Sequence, residues 1–185
     1  MNKRPELWQE ETISSKPIYE GQVITLQVDT VRLPDGGTAT REIVRHPGAA
    51  AVVALLGDKL IVVEQYRKPM EKFQVEIPAG KLDGNEDPRT AAFREFEEET
   101  GFKAADMKLI SAFYTSPGFA DEKLYLYWAE GLTKGQMSLD EEEFLAVSTI
   151  SFEEAQQYIR EERISDAKTM MAVYAWQRYR MTGEI

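Results

Sequence analysis

The chain has 185 residues, enough for one domain with a packed core, and 43% of them are apolar, so it is expected to fold. Its 32 acidic and 22 basic residues leave a formal charge of −10, which argues against a broad basic face for nucleic acid. There is no cysteine and one histidine, His46. Disulfides, thiolate zinc sites, cysteine nucleophiles and histidine-based metal centres are therefore excluded, and a Ser-His-Asp triad would have to use His46.

In chain order, the N-terminal stretch MNKRPELWQEETISSKP has no apolar h-region. No segment approaches the roughly 18 apolar residues of a membrane span. The chain is expected to be soluble, unexported and cytoplasmic. Residues 22–33 place Ile24, Leu26 and Val28 in period-two alternation, predicting a strand with that face buried. Pro34-Asp35-Gly36-Gly37 is a turn, and residues 38–45 return as a second strand of an antiparallel β arm. The apolar runs AAAVVALL and KLIVV, parted by Gly57-Asp58 within residues 49–63, predict a buried hairpin. Residues 73–79 form a short strand stopped at Pro78. Pro88 opens a helix to about Thr100, which Gly101 ends.

Residues 107–114, 123–129 and 144–150 read as further strands, with the loop YTSPGFADE between the first two. Ser151 and Glu154 make a capping box for a helix to about Glu162. Asp166 caps a last helix to about Met181, ended by Gly183. Its recurring Ala167, Met170, Met171, Tyr174, Ala175 and Arg178 are expected to face the core. Strands mixed with two or three helices point to an α+β fold, a mixed sheet with helices on its faces.

The run 94–99, Arg-Glu-Phe-Glu-Glu-Glu, gathers Glu95, Glu98 and Glu99 on one helical face. Like charges at that spacing repel by about 0.2–0.5 kcal/mol per pair, and here they sit at the negative end of the helix dipole. A solvated charged face is the plain alternative. Divalent cations among the carboxylates would remove both penalties. Oxygen donors suit hard ions such as Mg²⁺, for which Mn²⁺ substitutes.

Gly80, five residues, Glu86, seven residues, then Arg94-Glu95-Phe96-Glu97-Glu98-Glu99-Thr100-Gly101-Phe102 resembles the Nudix box, a loop–helix–loop signature that binds Mg²⁺ against a diphosphate. Every polar and glycine position is filled; Phe96 and Phe102 replace the more usual aliphatic residues. The resemblance implies a Nudix fold, an α/β/α sandwich around a mixed sheet. It implies Glu95 and Glu99 as direct metal ligands, with Glu98 joining through metal-held water or completing the site and the Ala79 carbonyl adding an oxygen. Arg94 would hold the acids, and Glu86 would brace the loop or the helix rather than bond metal directly. A general base is expected outside the box, in Leu139-Asp140-Glu141-Glu142-Glu143-Phe144. Glu143 is the first choice and Glu141 the second, against a merely solvated acidic loop.

The resemblance extends over most of residues 20–180. Pro117, sixteen residues beyond Gly101, marks the ADP-sugar branch, and REIVRHPGAAAVV, VVEQYRKP, VEIPAGK and FYTSPGFADE are similar to bacterial ADP-ribose pyrophosphatases. Arg67 would then hold phosphate, Arg41 would lie at the nucleotide or dimer edge, and Glu122 would approach the terminal ribose. Trp8, Tyr19 and Phe119 are candidates for packing on adenine. Residues 1–45 would be a β arm exchanged across a homodimer, with 46–185 the hydrolase domain. The expected activity is Mg²⁺-dependent hydrolysis of ADP-ribose to AMP and ribose 5-phosphate. The alternatives are another ADP-sugar, a dinucleotide such as NADH, or an ADP-ribose sensor that does not cleave. No nucleic-acid or membrane partner is expected.

Overall fold

The computed structural model describes residues 8–185. Residues 1–7, the start of the expected arm and of the N-terminal stretch read above, lie outside the described residues. The chain forms two compact units, Met1–Pro47 with Tyr114–Lys123, and Gly48–Phe113 with Leu124–Ile185.

In the first unit, strands β1 (Glu11–Glu20), β2 (Thr25–Arg32) and β3 (Thr38–Arg45) form an antiparallel sheet with β2 in the middle. The turn between β2 and β3 is held by Asp35, whose Oδ1 accepts from the Gly37 amide at 2.8 Å. Strand β1 lies within the stretch expected to form the arm, and all ten of its residues are exposed. The expected buried face of β2 is corrected. Asp29 and Val31 are its buried residues, whereas Ile24, Leu26 and Val28 are only half-buried. The segment 114–123 is stitched to the end of β3. The Val44 amide donates to the Phe119 carbonyl at 2.8 Å, and Asp121 accepts from the Arg45 guanidinium and the His46 amide, both at 2.9 Å.

In the second unit, β4 (Ala49–Val53) lies between β11 (Lys123–Glu130), parallel to it, and β8 (Ala79–Lys81), antiparallel. Strand β10 (Asp106–Tyr114) completes this sheet. A second sheet centres on β6 (Lys59–Arg67), which pairs with β5 (Leu55–Leu56), β7 (Lys72–Glu76) and β13 (Leu145–Ile150). Two short strands, β9 (Phe102–Lys103) and β12 (Thr133–Lys134), pair with each other. Helices α1 (Pro88–Thr100), α2 (Phe152–Arg160) and α3 (Ala167–Thr182) complete the unit.

The expected hairpin of residues 49–63 is therefore corrected. Only β5 turns back on β6, while β4 parts from them at Ala54 and joins the other sheet. Both runs are apolar on each face, so their sequences do not reveal which partner they take. Alternate residues of β4 fill opposite sides of its sheet. Ala49, Ala51 and Val53 pack with Ala172, Val173 and Trp176 of α3, and Ala50 and Val52 with Ala91, Ala92 and Phe96 of α1. This is the sandwiched sheet of an α+β fold. Phe96 is fully buried, worth about 1.5–3 kcal/mol for a side chain of its kind.

The capping box of α2 is present, and the helix stops at Arg160, before the expected Glu162. Asp166 caps α3 by accepting from the Thr169 amide, and Gly183 closes it. Of the stripe expected to face the core, only Met170 packs against it, half-buried. The buried face is Thr169, Ala172, Val173 and Trp176, while Ala167, Met171, Tyr174 and Arg178 are exposed. Both stripes have helical spacing, and the Trp176 side chosen by packing carries the larger ring.

Candidate active site

Helix α1 begins where Asp87 accepts from the amides of Arg89 and Thr90, at 3.0 and 3.1 Å, with Pro88 as its first residue. It ends at Gly101 in the left-handed conformation. Ala91, Ala92 and Phe96 anchor its buried side, which Glu99 shares, so the adjoining Glu95, Glu98 and Glu99 are held to one place. Strand β8 crosses close to them. A Cβ on Gly80 would come within 1.8 Å of the Glu95 carboxyl carbon, so only glycine leaves room for that side chain. One step earlier, the Ala79 amide donates to Glu99 Oε2 at 3.0 Å.

Arg94 ties the acids together. Its Nε and Nη2 donate to Glu86 at 3.1 and 2.8 Å, and its Nη1 donates to Glu95 at 2.8 Å and Glu98 at 3.1 Å. A further bond from Nη2 reaches the Lys81 carbonyl at 3.2 Å. Glu86 is thereby held below the usual carboxylate range, chiefly by its bonds from Arg94. Glu95 and Glu99 go the other way. Burial raises both, and the charge of Glu143 adds to the rise in each; Glu99 is pushed up to about 8.

One buried and one half-buried carboxylate that resist ionisation, on a glycine-cleared face lined by oxygen donors, fit a divalent cation whose charge would reverse that resistance. Among the described residues no three acidic side chains stand gathered at ligand spacing, and Arg94 bridges Glu95 and Glu98. Glu95, Glu98 and Glu99 are the side chains of this face that could hold a cation. At Ala79 the contact seen is made by the amide, and the expected carbonyl role is not what that bond reports.

The acidic loop follows β12. Glu141 and Glu142 form an exposed turn, and the Glu143 amide donates to the Asp140 carbonyl at 3.0 Å. Glu143 is exposed too, yet its charge reaches Glu95 and Glu99. Phe144, beside it, is 84% exposed.

Arg67 does not stand open. It makes a two-pronged pair with Glu76, 2.7 Å on each side, and Glu76 is also bonded by Lys168, which reaches Asp166 at 3.0 Å. Glu76 is 1% exposed. Burial opposes its ionisation, but Arg67 and Lys168 outweigh that and hold its carboxyl below the usual range. The charge of Lys168 also lowers Glu99. The sequence reading missed this cluster. Its one visible signal was an acid, Glu76, inside the apolar stretch FQVEIP, where an ionised side chain needs partners.

The remaining expected residues lie in the first unit. Arg41 pairs with Glu10, its Nε at 2.9 Å. Glu122 accepts from the Thr115 hydroxyl and has His46 Nε2 at 3.9 Å. Trp8, Tyr19 and Phe119 are all exposed, at 59%, 58% and 58%.

The family model described as NUDIX domain matches residues 45–173, and one described as nucleoside diphosphate sugar hydrolase N-terminal domain matches residues 10–44. The chain belongs to the Nudix hydrolase family. It is 54% identical to a Bacillus methanolicus protein named methanol dehydrogenase activator, over 91% of this chain and 92% of that one. It is 47% identical to a Bacillus subtilis ADP-ribose pyrophosphatase, over 89% and 91%. A solved structure titled as an ADP compounds hydrolase superposes with a TM-score of 0.83 at 18% identity, covering 96% of this chain and 97% of that one, and supports the Nudix fold. Nudix hydrolases generally require a divalent metal, and their substrates fit a small nucleoside-diphosphate compound. Among the described residues no helix is long and apolar enough to cross a membrane.

Proposed function

We propose that the chain hydrolyses the diphosphate of ADP-ribose to AMP and ribose 5-phosphate, using Mg²⁺, with Mn²⁺ able to substitute. The observation that carries this reading is the braced acid face of α1, Glu95, Glu98 and Glu99 tied by Arg94, in a chain 47% identical to an ADP-ribose pyrophosphatase. When bound, the cation supplies positive charge to the diphosphate and acidifies the attacking water. Glu95 and Glu99 would ligate it, Glu98 would join through metal-held water or complete the set, and the Ala79 carbonyl would be the backbone donor. Arg94 and Glu86 keep the carboxylates in place. Glu143 takes the proton of the attacking water, with Glu141 as the alternative. Arg67 has donors beyond the two that Glu76 uses, and these are proposed to meet phosphate. Arg41, Glu122 and Phe119 are proposed to contact the nucleotide and ribose.

Residues 1–45 are proposed as an arm exchanged in a cytoplasmic homodimer, with 46–185 as the hydrolase domain. The complete exposure of β1, including Ile13, Ile18 and Tyr19, supports a covering partner. Incubating the chain with ADP-ribose and Mg²⁺ is expected to yield AMP, and absence of AMP overturns the reading. Running NADH and other ADP-sugars beside it, compared by kcat/KM, separates the nearest alternatives. A second reading rests on the 54% identity to the Bacillus methanolicus protein, that the chain raises turnover of a methanol dehydrogenase. Adding one to the same assay series, with an inactive Glu99→Gln control, decides it.

A further inference from the structure

Glu97 stands in the box run but off the face that Glu95, Glu98 and Glu99 share, and neither the metal reading nor the base reading gives it a task. The structure does. Its carboxylate meets the segment that leads into the acidic loop: Oε1 accepts from the Gln136 amide at 3.3 Å and lies 3.3 Å from Lys103 Nζ. Next to it the Gly135 amide donates to the Gly101 carbonyl at 2.8 Å, and the Ser138 amide donates to the Glu98 carbonyl at 2.9 Å. Residues 135–138 thus form a strap across the last turn of α1, using carbonyls that a helix end leaves without partners. The approach is close. A Cβ on Gly135 would lie 2.8 Å from Glu97 Oε1 and 3.0 Å from Lys103 Cγ. A cavity of about 380 Å³ lined by Arg94, Glu97, Glu98, Gln136 and Ser138 opens beside the strap.

The consequence lies just beyond. Leu145 begins β13, which is fixed to β6 by pairing with Gln65. Only residues 139–144 connect that strand to the strap, and Glu143 is among them. We propose that Glu97 is a positioning residue: by docking the 135–138 strap on the end of α1, it fixes the near end of the acidic loop and so places Glu143 against Glu95 and Glu99. This rests on the proposed role of Glu143. Releasing the Gln136 contact would loosen one end of a short tether, and a base displaced by about 1 Å can lose on the order of 10²-fold in rate.

The test measures kcat and KM for ADP-ribose at saturating Mg²⁺ in Glu97→Ala, Glu97→Gln, Glu143→Gln and the double variant Glu97→Ala/Glu143→Gln. Glu143→Gln is expected to lower kcat by about 10²-fold or more. Glu97→Ala is expected to lower kcat by about tenfold, within that range, with KM little changed. Glu97→Gln should keep most of the wild-type kcat, since its amide oxygen can still accept from Gln136. The double variant should be no slower than Glu143→Gln alone, because both changes act on one group. Three results overturn the proposal while leaving the Glu143 role intact: a wild-type kcat in Glu97→Ala, equal losses in Glu97→Gln and Glu97→Ala, or multiplying losses in the double variant. A wild-type rate in Glu143→Gln overturns the base assignment itself, and the positioning role with it.

Discussion

Two acidic clusters in this chain share a composition and differ in everything else. On α1 the carboxylates are partly or wholly buried, cleared by Gly80, bonded by Ala79 and bridged by Arg94. In the loop 139–144 the carboxylates of Glu141, Glu142 and Glu143 are exposed, and the loop is held mainly from its two ends. A cation site benefits from ligands that cannot move apart, because ordering them at the moment of binding would cost entropy. A base must exchange its proton with water at each turnover, which an exposed side chain does readily. The difference in burial therefore matches a division of labour between ligand and base.

The comparison breaks most visibly at Glu99. Glu99→Gln removes the most buried carboxylate of the α1 face, and turnover of ADP-ribose should fall on the order of 10³-fold, since a bound cation supplies several kcal/mol of charge stabilisation. Thermal stability without metal should not fall, as Gln retains an acceptor for the Ala79 amide. Wild-type turnover would place the cation elsewhere. A smaller effect is expected at the bridge. Arg94→Lys keeps the charge but loses the planar fork that reaches Glu86, Glu95 and Glu98 together. The Mg²⁺ concentration for half-maximal activity should rise about 10–100-fold, read by metal titration. An unchanged titration would mean that the acids hold their places without Arg94.

The same contrast explains what could be read from sequence. The ligand face lies within one helix and the loop before it, so Gly80, Glu86 and the 94–99 run stand at fixed spacings on a contiguous stretch. Capping residues are equally local, and Asp166, Ser151 and Gly183 do what their types suggest. Glu76, Arg67 and Lys168 come from three separate elements, and no spacing announces their meeting. Glu97 is likewise silent until the strap is seen beside it. The parting of β4 from β5 at Ala54, and the choice of Trp176 over Met171 and Tyr174 for the buried side of α3, depend on partners distant in the chain. Where a reading depended on local periodicity alone, either face satisfied it.

The smallest effect concerns protons on the α1 face. Without metal, the native state keeps a proton on Glu99 up to about pH 8, because burial and the charges of Glu95 and Glu143 oppose its loss. The unfolded chain releases that proton near its ordinary value of about 4.3. Between those values the native state binds more protons than the unfolded one, so its stability declines as pH rises. The metal-free protein should therefore melt several degrees lower at pH 8.5 than at pH 5, on the scale of about 2–4 °C per kcal/mol for a chain of this size. Glu99→Gln should flatten that slope, because its amide carries no charge to bury. Mg²⁺ should raise the melting temperature more at pH 8.5 than at pH 5, since binding requires the ionised carboxylate. A metal-free protein whose stability rises across this range, or a Glu99→Gln variant with an unchanged slope, would mean that Glu99 is ionised throughout and that the acid face is balanced by Arg94 alone.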